Sequence, residues 1–437
     1  MKKKIALMLA ASACCMQLAA CTSSGAQGTD GNAGGTQQET QEQQGEQAED
    51  EGSTPAGNAS AGEGGADAGE GGADAAGSGN AGGETKPDPA EAEGTKLTAA
   101  QCREKIEELA ATEEVEPEDA LLLAEMASFV TYARLLDEQD VLFAEMDDND
   151  RERLRGVILS CITWTESLVG RVVGVKYDVD AGIPAEDALK LFGEVYGETE
   201  LVPGAHERFE NGCLIHPFGD GEPVDMIERL RVYGDGSYYL LTGPMLYESN
   251  GEGECFLGYA DILFEKKEDS LLGATLLYGR CRDEKIEIAA VETSSELAPA
   301  SGKTYSGKNL TDGDLSTVWA EGAKGTGVGE SVTLRLAGTQ LVSGLQIVNG
   351  YTADYGLFHD NGLLKEVRVD FGNGNVVVGQ FDGYAGENFS SEDLAGGNRF
   401  IFRPDVPVMT DTIVVTITEA EAGAKYEDTC VSEMLVY

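Results

Sequence analysis

The sequence predicts a multidomain protein: a disordered N-terminal tether, an α+β middle domain (helices, then an antiparallel β-meander) and a C-terminal all-β sandwich. Three observations lead there. Residues 22–97 contain no aromatic side chain and repeat GEGGADA at Gly62–Ala68 and Gly69–Ala75. After residue 97 apolar residues recur first at helical spacing and then in alternating, strand-like runs. From about Glu292 onward short alternating runs are separated by glycine-rich turns, the pattern of a sandwich. The 437 residues leave room for roughly two or three domains.

The N-terminus supplies an address. Met1-Lys2-Lys3-Lys4 is basic, Ile5–Leu18 is a short apolar run, and Leu18-Ala19-Ala20-Cys21 places small residues before a cysteine. The apolar run falls short of the roughly 20 residues a spanning helix needs, so residues 1–20 read as a cleaved export signal. Leu-Ala-Ala-Cys resembles a bacterial lipobox, which implies lipidation of Cys21 and anchoring to the outer face of the bacterial cell membrane. Residues 21–96 then form the tether. Its composition buries too little apolar surface to offset chain entropy, and its spaced carboxylates repel one another.

The formal net charge of -47, spread over the folded part as well as the tether, argues against nucleic acid and anionic lipid surfaces as partners. Beyond Cys21 stand Cys102, Cys161, Cys213, Cys255, Cys281 and Cys430. Export permits disulfides, the wide spacings match no short metal motif, and buried free thiols fit equally well.

The middle domain is expected over residues 97–290. Thr98 is placed to cap a helix carrying Ile106 and Leu109. Pro117-Glu118-Asp119 starts a second helix, with Leu122, Met126, Phe129, Ala133 and Leu136 on one face. A third follows Asp148-Asn149-Asp150, and Pro184–Tyr196 forms a fourth. Gly234-Asp235-Gly236 between alternating runs is a hairpin signal, and Cys255–Phe264 and Leu271–Cys281 continue the meander. His206 and His216 are isolated, and no hydrolase elbow or zinc motif is present.

The C-terminal segment, expected over residues 291–437, opens with Asn309–Gly322, NLTDGDLSTVWAEG. Asp312 and Asp314 flank Gly313, which lets the chain bend so that both carboxylates face one point. Thr317 adds a hydroxyl or carbonyl oxygen, and such oxygen sets suit calcium. A turn whose aspartates bond local amides is the alternative. Trp319 is expected in the core.

This opening resembles discoidin-like carbohydrate-binding domains, a jelly-roll sandwich. Asn349-Gly350-Tyr351, Asp360-Asn361-Gly362 with Lys365, and Lys425–Glu433 (KYEDTCVSE) narrow the resemblance to the glycan-binding, translocation-type domain of secreted streptococcal NAD glycohydrolase. Leu363-Leu364 stands where that family tends to carry a basic residue before the lysine, and nothing in the chain corresponds to the toxin's catalytic domain. The resemblance implies that the last strand returns beside the opening loop. Asn309, Asp312, Asp314, Thr317 and Glu433 are therefore the candidate ligands of a structural Ca2+.

For glycan contact the candidates are Tyr351, Tyr355, His359 and Asn361, since aromatic faces pack on pyranose rings and His and Asn bond hydroxyls. The sequence thus predicts a lipid-anchored surface protein that binds carbohydrate without catalysis. A glycan- or cell-wall-active enzyme with its chemistry in the middle domain, and a protein-interaction or structural module, are the alternatives.

Overall fold

The computed structural model describes residues 96–137, 140–165, 167–217, 224–249, 253–382 and 390–437. The expected signal, Cys21 and the tether lie outside the described residues.

Five helices open the middle domain: α1 (Ala99–Ala110), α2 (Ala120–Tyr132), α3 (Asp148–Trp164), α4 (Leu168–Val173) and α5 (Ala185–Tyr196). Thr98 caps α1 as expected, in a reciprocal box with Gln101. Asp147 caps α3 by accepting from the Asp150 N–H. α2 stops at Tyr132, earlier than its apolar spacing suggests, because Arg134 takes a left-handed φ of 52°. Ala133 and Leu136 are still buried, but in the turn that follows.

The main sheet contains β1 (Val141–Leu142). Three short strands, β2 (Ile183–Pro184), β3 (Arg208–Glu210) and β4 (Cys213–Ile215), make a separate small sheet in the order β2-β4-β3. The meander follows as β5 (Val224–Ile227), β6 (Arg231–Gly234), β7 (Tyr238–Ser249), β8 (Gly253–Lys266) and β9 (Ala274–Arg282). These pair antiparallel in the order β1-β9-β8-β7-β5, with β6 also on β7. The β6–β7 turn closes through the Asp235 carboxylate, which accepts the Ser237 and Tyr238 N–H groups. One face of the sheet packs on the core of α2, α3 and α5 through residues such as Leu241, Ile262 and Phe264. The other face holds Tyr233, Leu240, Leu263 and Tyr278 under Cys102, Ile106 and Leu109 of α1.

The C-terminal unit is an all-β sandwich. Its strands are β10 (Ile288–Thr293), β11 (Trp319–Ala320), β12 (Ser331–Val342), β13 (Leu345–Asn349), β14 (Leu363–Asp370), β15 (Val376–Gln380), β16 (Arg399–Phe402), β17 (Val408–Glu421) and β18 (Cys430–Val436). They form a five-stranded sheet, β10-β12-β17-β14-β15, and a four-stranded sheet, β11-β18-β13-β16. The two share a core that includes Trp319, Leu334, Ile347, Val367, Phe371 and Ile413. The expected boundary between residues 290 and 291 falls inside β10, which pairs with β12 and so belongs to the sandwich. Two short helices, α6 (Tyr355–Asp360) and α7 (Ser391–Gly397), interrupt a segment expected to be all strand and loop. At six and seven residues they are too short to show a period.

The domains join through a polar and aromatic seam. Phe256 stacks on Tyr437 at 4.3 Å, and the Phe256 N–H donates to Gln346 Oε1 at 2.9 Å. Arg403 of the sandwich bridges Glu228 and Glu254 of the middle domain, the latter through Oε1 at 2.8 Å and Oε2 at 2.6 Å. All six cysteines in the described residues are free thiols.

One buried acid in the middle domain is poised to titrate. Asp225 is fully buried, and neither carboxyl oxygen has a hydrogen-bond partner among the described residues. Arg134 Nε stands 3.6 Å away and is itself bonded to Asp137. Burial, and then the neighbouring Asp137 carboxyl, push Asp225 up to about 8 against the pull of Arg134. The folded state therefore favours the protonated acid. Its stabilising contribution is complete below about pH 4, declines as the unfolded chain ionises, and is gone above about pH 8. Asp225→Asn should be more stable than the parent by at least about 1 kcal/mol at pH 8, one pKa unit being about 1.4 kcal/mol. Urea unfolding at pH 4, 6 and 8 reads this; a pH-independent difference between the two proteins refutes it.

Candidate functional site

The opening loop sits where β18 returns. A short 3-10 turn over Gly307–Thr311 leads into it, and Gly313 takes φ 74° between the two aspartates. Asp312 Oδ1 accepts the Asp314 N–H and Asp314 Oδ1 accepts the Ser316 N–H, each at 2.9 Å. The Thr317 hydroxyl reaches Asp312 Oδ2 at 2.8 Å and the Asp314 carbonyl at 3.1 Å. Glu433 Oε2 accepts the Gly313 N–H at 3.2 Å, so the expected meeting of the loop with the last strand is present.

The environment of Glu433 bears on whether a cation fits. Burial first, then the nearby Asp312 and Asp314 charges, push this carboxyl up to about 8 despite the Gly313 N–H and Lys285. A divalent ion would relieve that repulsion. Among the described residues no three acidic, histidine or cysteine side chains converge as a metal cluster. An ion here would therefore be held by hydroxyl and carbonyl oxygens alongside the carboxylates, a mixture calcium accepts. The amide nitrogen of Asn309 is taken up inside the loop, which leaves its oxygen atoms as the ones that could face an ion. The amide N–H groups donate to the Thr304 and Val318 carbonyls at 2.9 and 2.8 Å, which makes the side chain an internal brace of the loop. Trp319 is buried as expected, with its indole N–H on the Ser295 carbonyl.

The other candidates lie on a second loop. Asn349 ties β13 to β14 by donating to the Leu364 carbonyl and accepting its N–H. Gly350 follows at φ 87°, with so little room that a Cβ would stand 2.5 Å from the Phe358 ring. Tyr351 then turns inward. It is 3 % exposed, packs with Val318, Ala320 and Cys430, and its hydroxyl accepts from Lys303 at 2.7 Å. Tyr351 thus offers no ring face to a ligand, contrary to its expected role: the Gly350 N–H donates to the Cys430 carbonyl and the Thr352 N–H to the Ser432 hydroxyl, which holds this stretch along β18 with the ring in the core.

Tyr355 and His359 stand one turn apart on α6, with ring centroids 5.9 Å apart. His359 is exposed and Tyr355 half-exposed. Asn361 ends the helix, its amide donating to the Leu357 carbonyl at 2.7 Å. A third segment, residues 421–429, lies against this one backbone to backbone. The Ala424 N–H donates to the His359 carbonyl, those of Lys425 and Tyr426 to the Asp360 carbonyl, and that of Gly362 to the Asp428 carbonyl. Gly362 and Gly423 permit the approach, since a Cβ on either would meet main-chain atoms of the other segment at 2.9 Å or less. The two segments form a platform that carries Tyr355, His359, Tyr426 and Lys425: His359 and Lys425 both approach the Asp360 carboxylate, at 3.8 and 3.9 Å, and the Lys425 ammonium stands 4.8 Å from the Tyr426 ring centre.

Tyr426 and Lys425 were legible only as part of a family signature. Nothing in their spacing places them beside α6, because four strands, β14 to β17, and the helix α7 intervene.

The middle domain holds its polar groups differently. Arg155 is buried between Glu198 and Glu207, and Glu207 Oε1 lies 3.2 Å from His216 Nδ1. Burial would raise Glu207, but the bonds from His216, the Gly204 N–H and Arg155 outweigh it and hold it low. The His216 ring fits against α3 because residue 156 is glycine; a Cβ there would stand 2.5 Å from Nε2. This network is an internal brace, with its histidine wedged against a helix instead of facing a cleft.

The class of the C-terminal unit follows from its two sheets, its opening loop and the return of β18: it is a discoidin-like, F5/8 type C domain. Residues 283–437 match the family described as the NAD glycohydrolase translocation F5/8 type C domain. Similar solved structures include the CBM32 of AlyQ in complex with 4,5-unsaturated mannuronic acid, at 16% identity over 35% of this chain and 98% of that one, TM-score 0.23. A mycobacterial arabinofuranosyltransferase, AftD, is similar at 18% identity over 34% of this chain and 11% of its own length, TM-score 0.25. The family 32 CBM of C. perfringens NanJ in complex with galactose is similar at 17% identity over 34% and 91%, TM-score 0.24. The chain thus spans nearly all of the two binding modules and about a tenth of the transferase. No curated protein matches it.

Gly350→Ala tests the platform's foundation. Both the left-handed φ and the contact with Phe358 oppose a methyl group, so it should destabilise by roughly 1–3 kcal/mol in urea unfolding. Parent-like stability would show that the loop is not held as described.

Proposed function

We propose that this chain is a lipid-anchored surface protein of a bacterium that binds glycan without catalysis, through the platform on its C-terminal domain. Cys21 is the lipidated residue, and the acidic tether gives reach away from the membrane. The observation that carries the binding role is the platform itself: two exposed aromatic groups, a third ring and a cation fixed by main-chain bonds between two loops. Aromatic faces take the apolar side of a sugar ring, and His359, Lys425 and Asn361 supply directed polar contacts. Tyr351 supports the platform from beneath. Many tethered copies would turn weak single contacts into useful avidity.

Glycan-array binding by the full mature chain tests this. Tyr355→Ala, His359→Ala and Tyr426→Ala should each weaken binding about tenfold or more while leaving the melting temperature near that of the parent. No sugar bound in the presence of calcium, or binding untouched by all three substitutions, overturns it.

In the same reading Asp312, Asp314, Thr317 and Glu433 hold a structural Ca2+ that fastens the opening loop to β18. Its chemistry is charge neutralisation, with no part in a reaction. At free calcium about 100 times Kd the bound ion should stabilise by about 2.7 kcal/mol. A chelator should lower the melting temperature of the parent and leave Asp312→Ala unchanged. Equal melting of the parent with and without chelator removes the ion from the account.

A further inference from the structure

A row of polar residues crosses the main sheet of the middle domain on the face that α1 only partly covers. Strand register sets Arg231 opposite Thr242, Thr242 opposite Asp261, and Asp261 opposite Arg280. The neighbouring row, Tyr233, Leu240, Leu263 and Tyr278, is apolar and lies under α1. Arg282 stands two residues beyond Arg280, on the same face. Together with Tyr233 and the end of α1 at Ile106, Glu107 and Ala110, these residues line a cavity of about 160 Å3.

Arginine and acid are unequally buried in this cavity. Asp261 is 2 % exposed and accepts from the Thr242 hydroxyl at 2.7 Å, Arg280 Nε at 2.9 Å, and Arg282 Nε and Nη2 at 2.6 and 3.3 Å. Four donors saturate a carboxylate, which has about four lone-pair sites. Arg231 can therefore gain nothing from Asp261, and among the described residues no acid pairs with it. Its guanidinium lies 5.9 Å from the centre of the Tyr233 ring. Three guanidinium groups face one buried carboxylate. The remaining acids, Glu107 on Arg280 and Glu284 on Arg282, are rim groups 70% and 63% exposed, in pairs that solvent keeps weak. In a chain of net charge -47, a concave site where three arginines face a single buried acid stands apart.

We propose that this cavity binds a small oxyanion: a carboxylate, sulfate or phosphate group. Arg231 is the principal contact, and Arg280 and Arg282 complete the ring by exchanging their exposed rim partners, Glu107 and Glu284, for the anion. Guanidinium forks match the planar or tetrahedral oxygens of such groups in paired hydrogen bonds. Asp261 is a positioning residue that fixes two of the three forks. The volume lies below the roughly 300–1,000 Å3 of sites for larger ligands, so it suits the charged group and not an oligosaccharide.

Isothermal titration and thermal melting of the full mature chain test this with sodium sulfate, sodium phosphate, sodium glucuronate and neutral glucose, each against sodium chloride at matched ionic strength. At least one oxyanion should bind and raise the melting temperature above the chloride control, and glucose should do neither. Sulfate or phosphate binding identifies a free ion as sufficient; glucuronate alone identifies a carboxylate carried on a sugar. Arg231→Gln should weaken the effect about tenfold or more, whereas Arg335→Gln, on the exposed face of the sandwich, should leave it intact. If Arg231→Gln fails to fold, Arg231→Lys, which keeps the charge and loses the fork, must still bind more weakly than the parent. Equal shifts in oxyanion and chloride, or shifts that survive substitution of Arg231, overturn the proposal.

Discussion

Strand β18 is the constraint on which the rest of the C-terminal half depends. It lies between β11 and β13, and each part of it fixes something different. Glu433 meets the opening loop, the Ser432 hydroxyl donates to the Gly350 carbonyl and accepts the Thr352 N–H, and Tyr437, just past the strand, stacks on Phe256 of the middle domain. The Tyr437 carbonyl also takes the N–H groups of Ser343 and Gly344. A change that moves this strand therefore moves the loop, the platform and the domain seam together. Its buried side chains, Val431, Met434 and Val436, fix it in the sandwich core.

The platform shows how a surface made of loops becomes a defined one. Loops ordinarily give mobile side chains a mobile base. Here the 359–362 and 423–430 segments exchange a run of main-chain hydrogen bonds, so the rings stand on something close to an extra ladder. The ordering entropy of the backbone is thus met on folding, and less remains to be lost when a ligand arrives. That matters for sugars, whose hydroxyls exchange one set of hydrogen bonds with water for another and leave a small net gain per contact.

Local chemistry was readable from the sequence wherever cause and effect lie close together. The Thr98 cap, the Asp235 turn, the bend at Gly313 and the meander all come from residues within a few positions of one another. Features that need register were not readable. Tyr351 reads as a ligand residue because it is an aromatic in a loop, but its direction is set by Gly350 and Thr352 bonding Cys430 and Ser432 of β18, 80 residues away. The bracing of the loop by the Asn309 amide, which donates to the Thr304 and Val318 carbonyls, is likewise invisible in the sequence. The arginine row draws one residue from each of four strands, and a single-residue slip in any pairing would scatter it to both faces of the sheet.

The seam between the domains sets how these sites relate. Arg403 is mostly buried, and the Glu228 and Glu254 carboxylates hold its pKa above the usual arginine value despite the opposing cost of burial. Ion pairs of this kind add little net stability, since desolvation offsets much of the attraction. They do penalise misalignment, because a displaced arginine would give up its bonds to both carboxylates. The aromatic stack of Phe256 on Tyr437 supplies apolar contact, and the Gln346 bond to the Phe256 main chain fixes its register. Attraction at this seam is therefore shared between a non-directional contact and several directional ones. The directional ones hold the sandwich, and the platform on it, at a fixed angle to the middle domain.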